Sequence, residues 1–475
     1  QEEGQTYVDR YKADILSDGS QVVAERVNFA PQPQSSMTVI DQHTGYVKAM
    51  IGGRGEKTAS LTMNRATDST RQPGSTFKIV STYAPALNEL GMSLATTFED
   101  EPYNYPSGQP VKNASGSYSG TTTIRTAIRN SINVVAVKCL EQVTPELGLQ
   151  YLDNFGFSTL AHGTEADTDA NGNVYTDANL PMALGGLTYG ITNIDLCAAY
   201  ATIANSGNYI KPVYYTKILD HNGNVLIENT SAEKSVIKES TAFLLTSAME
   251  DVVQQGTGTA CQLDNMAVAG KTGTTDQYND LWFAGFTPYY TCVVWSGYDD
   301  NQKIPDDARN FHKNLWRKVM SRIHEGLEYR DFQQPSSVEK ISICSETGLL
   351  PRTGCPVIEE YFDVGTVPTE YCDQHFYEIP DEETEGELVL DPDLTQTPDD
   401  PNNPGTPEEP VIPDNPDNTG GDGTGGDGTG GDGTGGDNTG GDNTGGDGTG
   451  GDGTGGDYTG GDNTGGEGTD DIVYY

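Results

Sequence analysis

Apolar positions along this chain follow two rhythms. Residues 37–41 and 46–51 are short β-rich runs around Gln42-His43-Thr44-Gly45, which predicts a hairpin with His43 as an exposed turn residue. Residues 281–286 and 290–298 repeat the pattern around Thr287-Pro288-Tyr289. Residues 266–275 read as a strand ending in small and hydroxylated side chains. Together these three runs predict an antiparallel meander. Between the two β regions the spacing turns helical. Pro73-Gly74 is a turn signal, followed by apolar Phe77, Ile79 and Val80. Helical spacing also covers 124–140, 145–155 and 184–204, and 315–327 reads as an amphipathic helix. A helix-rich middle between a hairpin and a meander predicts an α+β fold. Its antiparallel sheet would take strands from both ends of the domain, flanked by helices and a helical subdomain.

Both rhythms fade at the two ends. Residues 1–35 are polar with scattered apolar positions and read as a linker remnant. Residues 36–330 form the main domain, and 331–380 a small cysteine-containing extension. From 381 the apolar periodicity is lost. Pro and acidic residues dominate first, and ten Thr-Gly-Gly-Asp/Glu-x pentads then run from Thr419 to Gly468. Such a stretch buries too little apolar area to offset its ordering entropy, so 381–475 is expected to be a disordered acidic tail. The pentads lack the nine-residue period and apolar position of calcium-binding β-roll repeats.

Charge narrows the partners. The 475 residues carry a formal net charge of −43, of which 25 negative charges lie from 381 onward with no Lys or Arg, leaving −18 on the first 380. There is no basic stripe, so nucleic acid is not an expected partner. No run of about 18 apolar residues and no signal peptide is present. The chain starts at Gln1 in a polar stretch, so an N-terminal part, with any membrane anchor, is expected to be missing from it.

The candidate chemistry sits at Arg71-Gln72-Pro73-Gly74-Ser75-Thr76-Phe77-Lys78. Ser75 falls in the first helical turn, and Lys78, three residues on, shares its face. A serine hydroxyl needs a base beside it. A lysine serves only as the free amine, so burial or a nearby cation must lower its pKa. The helix N-terminus adds free N–H groups and partial positive charge where an oxyanion would form. Ser-x-x-Lys alone is weak evidence, because it also occurs at Ser231/Lys234, Ser235/Lys238 and Ser337/Lys340. Ser-x-Asn occurs at Ser131/Asn133 and Ser206/Asn208, and Lys-Thr-Gly once, at Lys271-Thr272-Gly273. The order Ser-x-x-Lys, Ser-x-Asn, Lys-Thr-Gly is that of serine acyl-transferases of the penicillin-binding and β-lactamase type. Only Ser75 precedes either Ser-x-Asn. Ser131 opens an apolar helix whereas Ser206 lies in a turn-like run, so Ser131 is the choice.

The resemblance extends further. Asn64-Arg65-Ala66, Leu184-Gly185-Gly186-Leu187-Thr188-Tyr189-Gly190, Trp282-Phe283-Ala284-Gly285-Phe286-Thr287-Pro288 and Trp295-Ser296-Gly297-Tyr298-Asp299 are similar to motifs of class A penicillin-binding proteins, over roughly residues 36–330. The resemblance implies a β-lactamase/transpeptidase-like fold and D,D-transpeptidase activity in the bacterial cell wall, on the extracytoplasmic face of the cell membrane, with no cofactor. Ser75 would attack the D-Ala-D-Ala carbonyl of a peptidoglycan stem peptide, and an acceptor amine would resolve the acyl-enzyme. β-Lactams would acylate the same serine. Lys78 would take the Ser75 proton, and Ser131, with Lys271 nearby, would relay one to the leaving amine. Asn133 would hold a substrate amide. Backbone N–H groups of Ser75 and Thr274 would form the oxyanion hole, while Thr272 and Thr274 would bind the terminal carboxylate. Gly273 would let a peptide backbone come close to the strand. Strict alternation puts Lys271 on the face opposite Thr272 and Thr274. No Glu-Asp-x-x-Phe-type glycosyltransferase motif is present, so glycan polymerisation is not expected of this chain. Glu146, 13 residues after Asn133, reads as a first-turn helix acid rather than a deacylating β-lactamase glutamate. A D,D-carboxypeptidase and a non-catalytic penicillin-binding sensor or scaffold are the alternatives.

Cys139, Cys197, Cys261 and Cys292 read as buried thiols. Cys344-x10-Cys355-x16-Cys372-x2-His375 fits either a Cys3His zinc site or a disulfide with a free thiol. An extracytoplasmic site and the lack of a Cys-x-x-Cys pair favour the disulfide, with Cys344–Cys355 as the expected pair and no metal.

Overall fold

The fold is known from a computed structural model that describes residues 33–375 apart from 58 and 230, with the backbone alone of four short strands between Thr6 and Phe29. The side chains of most of the expected linker, and the whole of the expected tail, lie outside the described residues.

The apolar runs at the two ends of the domain meet in one sheet. Strands β1 (Gln34–Asp41), β2 (Tyr46–Ile51), β3 (Ala269–Thr274), β4 (Asp280–Phe286) and β5 (Thr291–Gly297) pair antiparallel in the order β3-β4-β5-β1-β2. Every residue of β4 and β5 is buried, because both faces of the sheet are covered. Trp282, Ala284, Phe286, Val293 and Trp295 point into the large core shared with the helices of the middle segment. The alternate residues Phe283, Cys292 and Val294 meet Trp316 and Met320 of α7 (Phe311–Ile323) on the other face. The α+β reading and the antiparallel sheet built from both ends therefore hold.

The middle segment departs from the periodicity in detail. The single helix expected over 124–140 is two, α2 (Ile124–Asn130) and α3 (Asn133–Val143), broken at Ser131. Ser131 takes left-handed backbone angles, φ 57 and ψ 44, which stop α2 as a glycine would. The helix α4 (Pro145–Asn154) agrees with expectation, and Glu146 is exposed in its first turn. Only Asn193–Ala204 of the expected 184–204 helix forms, as α5. The glycines at 185, 186 and 190 keep the rest irregular. A sixteen-residue helix, α6 (Glu239–Gln254), is one that the periodicity does not predict, and it is buried along much of its circumference.

Residues beyond α7 form a hairpin of β6 (Val338–Cys344) and β7 (Val357–Asp363). It is anchored by Arg125 of α2, whose Nε and Nη2 each donate to a Glu360 oxygen at 2.6 Å. All seven cysteines are thiols, so the expected Cys344–Cys355 disulfide is not formed.

Candidate active site

Two glycines bring the nucleophile turn against the sheet edge. Gly74 has φ +56, and a Cβ on it would lie 2.7 Å from the Thr274 carbonyl oxygen. A Cβ on Gly273 would lie 2.5 Å from the Pro73 carbonyl oxygen. The end of β3 and the mouth of the Ser75 helix thus touch backbone to backbone. The room that Gly273 leaves is filled by this turn, not held open for a substrate backbone as the sequence suggests. Since β3 is the edge strand of the sheet, one side of it remains unpaired by its neighbours.

Hydrogen bonds lock the turn. The Gln72 amide donates to the Leu187 carbonyl at 2.7 Å and accepts from the Leu187 N–H at 2.9 Å. Trp282 Nε1 donates to the Gln72 carbonyl at 2.8 Å. Arg71 and Ile191 exchange backbone bonds at 2.9 and 2.8 Å. Arg65 Nε donates to Asp299 Oδ1 at 2.6 Å, and Arg71 Nη2 to the Asp299 carbonyl at 2.8 Å. The motifs at 64–66, 184–190, 282–288 and 295–299 therefore act together to hold 71–75 in place.

The helix begins as a 3-10 turn (Gly74–Thr76), widens to a π-helix (Lys78–Tyr83), then becomes α1 (Ala84–Glu89). The buried Lys78 Nζ donates to the Ser131 carbonyl at 2.8 Å and to Asn133 Oδ1 at 2.5 Å, with Ser131 Oγ at 3.3 Å. From the sheet, Lys271 Nζ donates to Ser131 Oγ at 2.8 Å. Ser131 Oγ therefore lies between two amines. The break at Ser131 makes this geometry by turning the peptide out of helical register, so its carbonyl and hydroxyl both face Lys78.

Neither amine has a carboxylate ion-pair partner among the described residues, and both are fully buried. Burial first, and the charge of Lys271 second, hold the Lys78 amine well below the ordinary lysine pKa. Burial brings Lys271 down to about 7.

Asn133 is set by residues that the sequence does not single out. Asn113 Oδ1 accepts from the N–H groups of Asn133 at 2.9 Å and Val134 at 3.2 Å, capping α3 from outside its own sequence. Asn113 Nδ2 in turn donates to Asp100 Oδ1 at 2.7 Å, and Asn133 Nδ2 to the Lys112 carbonyl at 2.7 Å. These partners lie in the polar region 98–123, where no periodicity marks them.

A cleft of about 1210 Å3 opens over this cluster, with Ser75, Asn133, Thr274, Gln72, Lys112 and Tyr105 in its wall. Lys78, Ser131 and Lys271 form the hydrogen-bonded group behind Asn133. As alternation requires, Lys271 and Thr272 face opposite ways, and the length of the lysine carries its amine to Ser131. Thr274 is exposed to the cleft, whereas the Thr272 hydroxyl is 2.7 Å from that of Thr257. Of the expected carboxylate-binding pair, only Thr274 lies in the wall of the cleft.

Comparison with known proteins gives the family. Residues 35–320 match the penicillin binding protein transpeptidase domain, and residues 334–377 match the penicillin-binding protein 1A C-terminal domain. Penicillin-binding protein 1A of Clostridium tetani is 34% identical over 364 residues, covering 72% of this chain and 45% of that protein. Penicillin-binding protein 1A/1B of Bacillus subtilis is 28% identical over 381 residues, covering 75% and 39%. The chain thus spans less than half the length of these relatives. Among solved structures, penicillin-binding protein 1A from Haemophilus influenzae superposes with a TM-score of 0.61 at 23% identity, over 75% of this chain and 56% of that one. The PonA1 protein from Mycobacterium tuberculosis in complex with penicillin V gives a TM-score of 0.56 at 25% identity, over 65% and 82%. The motif order, the two-lysine cleft and the match over 35–320 lead to one conclusion: the chain belongs to the penicillin-binding protein transpeptidase family.

Proposed function

We propose that this chain is a serine D,D-transpeptidase domain that cross-links peptidoglycan stem peptides on the extracytoplasmic face of the bacterial cell membrane. The observation that carries the reading is the pair of buried lysines meeting at Ser131 behind the cleft that Ser75 and Asn133 line, with no carboxylate to neutralise them among the described residues. A neutral Lys78 has two hydrogens and one lone pair. The Ser131 carbonyl and Asn133 Oδ1 account for the hydrogens, which leaves the lone pair for the Ser75 proton. Ser75 Oγ then attacks the D-Ala-D-Ala carbonyl. The oxyanion would be met by the N–H groups of Ser75 and Thr274, a reading supported by the close approach of the Gly74 turn to the Thr274 backbone. Ser131 Oγ, between Lys78 and Lys271, is suited to pass a proton to the departing D-Ala amine. Lys271, in its charged form, and the Thr274 hydroxyl would hold the terminal carboxylate, and Asn133 a substrate amide. An amine of a second stem peptide then attacks the acyl-enzyme. The size of the cleft favours this acceptor over water alone, because it leaves space beside a bound donor strand.

No cofactor enters these steps. Penicillin-type β-lactams would acylate Ser75 by the same route. Among the described residues no helix is long and apolar enough to cross a membrane. Two measurements test the proposal. Intact mass after incubation with penicillin should show one adduct on the parent chain and none on Ser75→Ala. A stem pentapeptide supplied with an amine acceptor should give cross-linked product. Release of D-Ala alone, even at saturating acceptor, would instead make the chain a carboxypeptidase, and no adduct on the parent chain would overturn the enzyme reading.

A further inference from the structure

The small lobe after α7 has little core of its own. Ile343 and Phe362 are buried against Ala95 of the main domain with Ile341 and Val367 around them, while Val338 and Tyr361 lean on the large core of the main domain. A two-stranded unit of this size needs a staple, which small domains take from disulfides or metals. It has no disulfide. Instead, three thiols and one imidazole converge from separate parts of the lobe. Cys344 ends β6, Cys355 precedes β7, and Cys372 and His375 lie at the end of the described chain. Their ligand atoms all lie within 4.8 Å of one another.

We propose that Cys344, Cys355, Cys372 and His375 bind one Zn2+ as a tetrahedral Cys3His site. Zn–S bonds of about 2.3 Å and Zn–N bonds of about 2.0–2.1 Å place a sulfur and a nitrogen roughly 3.5 Å apart around one tetrahedral ion. His375 Nδ1 lies 3.4 Å from Cys344 Sγ and 3.3 Å from Cys372 Sγ. A disulfide would instead draw two sulfurs to about 2.05 Å and leave the third thiol and the imidazole with no part to play.

The surroundings fit metal ligation. His375 turns Nδ1 to the sulfurs and its other nitrogen, Nε2, to Glu346 Oε2 at 3.0 Å. A carboxylate on the far side of a ligating imidazole fixes its tautomer and orientation. The Arg352 N–H points at Cys355 Sγ from 3.3 Å, as amides do around zinc-bound thiolate. Backbone bonds seat the other two cysteines: the Cys344 N–H donates to Leu349 O and the Cys372 N–H to Leu350 O, both at 2.8 Å. The chain between the strands is thereby folded back on itself with its sulfurs inward. Binding would release the three thiol protons, so affinity should rise with pH.

The full 475-residue chain, purified without chelator, should contain one zinc per chain by plasma mass spectrometry. Cys344, Cys355 and Cys372 should be protected from alkylation until a chelator is added, and removal of zinc should lower the melting temperature. Reloading with Co2+ should give the visible bands of a tetrahedral thiolate site. Cys355→Ser and His375→Gln should each hold less than a tenth of the parent zinc while circular dichroism shows them folded. Glu346→Gln should retain the site with affinity lowered about 10–100-fold. Should both ligand variants fail to fold, metal content and alkylation of the parent chain decide. Parent protein that is metal-free, that carries a disulfide among these cysteines, or that holds iron in place of zinc would overturn the assignment.

Discussion

Arg125 is largely enclosed and Lys78 and Lys271 are fully buried, yet the fold surrounds these basic groups differently. Arg125 receives two carboxylates. Glu360 takes Nε and Nη2 in a two-pronged bond, while Asp251 Oδ2 accepts from Nη1 at 3.0 Å, and Ser247 offers its hydroxyl and carbonyl. Burial opposes the charge, but Glu360 and Asp251 outweigh it and hold the guanidinium above its ordinary pKa. Lys78 and Lys271 receive only hydroxyl, amide and carbonyl oxygens, and both fall below their ordinary pKa. An anion beside a buried cation fixes its charge and makes it structural. Withholding the anion makes a buried lysine give up its proton, as a base must. Arg125 ties the small lobe to the two helices α2 and α6. Lys78, at the far end of α2 from it, is left free to titrate.

Supplying an anion to the lysines should break the contrast most. In Asn133→Asp a carboxylate would replace the amide oxygen 2.5 Å from Lys78 Nζ. Lys78 would then stay protonated at neutral pH. The acylation rate should fall there by about 10²–10⁴-fold, the usual worth of a general base. Because an opposite charge raises a lysine pKa, the acid limb of the rate should move to higher pH, towards the alkaline limb set by Lys271. Measuring acylation by penicillin against pH separates this from a loss of binding, which would lower the rate without moving the limb.

Removing the cation from the structural cluster should have the converse effect. Arg125→Met leaves the buried Glu360 without its cation and should destabilise the fold by about 3–5 kcal/mol. Chemical denaturation measures that loss. The acylation rate of the folded fraction should stay within about threefold, since Arg125 touches none of the groups around Ser75. The smallest effects sharpen the site itself. Thr274→Val should reduce turnover of the stem pentapeptide more than Thr272→Val, which only breaks the bond to Thr257. Equal losses in the two variants would show that Thr272 also reaches the substrate.

Much of this site is legible in the sequence because its motifs are local. Ser75 and Lys78 share a helix face, and Lys271 lies in a short strand with unmistakable neighbours. The hairpin and meander likewise carry their own turns. What stays hidden is what distance or unusual backbone creates. Arg125 and Glu360 are 235 positions apart. Asn113 reaches α3 from a polar loop with no rhythm to mark it. The left-handed turn at Ser131 is made by a serine, so the sequence marks it as a helix start but not as the residue that ends α2. Helix α6 escapes the periodicity because Ser240, Thr241 and Ser247 are buried along with its apolar residues, which removes the polar face that reveals a surface helix. The cysteines show the same limit. Their spacing allows a disulfide or a metal, and only the convergence of three sulfurs with His375 favours one.

The central claim is that Lys78 acts as a free amine because it is buried beside Lys271 without an anion. The direct test is the pH dependence of the second-order rate constant for acylation by penicillin, in the parent chain and in Lys271→Met. The rate needs the free amine, so it rises with pH through the Lys78 pKa. In the parent this acid limb should lie well below the ordinary lysine pKa, with an alkaline limb near pH 7 as Lys271 loses its charge. In Lys271→Met the alkaline limb should vanish. The acid limb should move to higher pH, because one of the two causes lowering the Lys78 pKa is gone, and the neutral-pH rate should fall. Unchanged limbs and an unchanged rate in Lys271→Met would contradict the account.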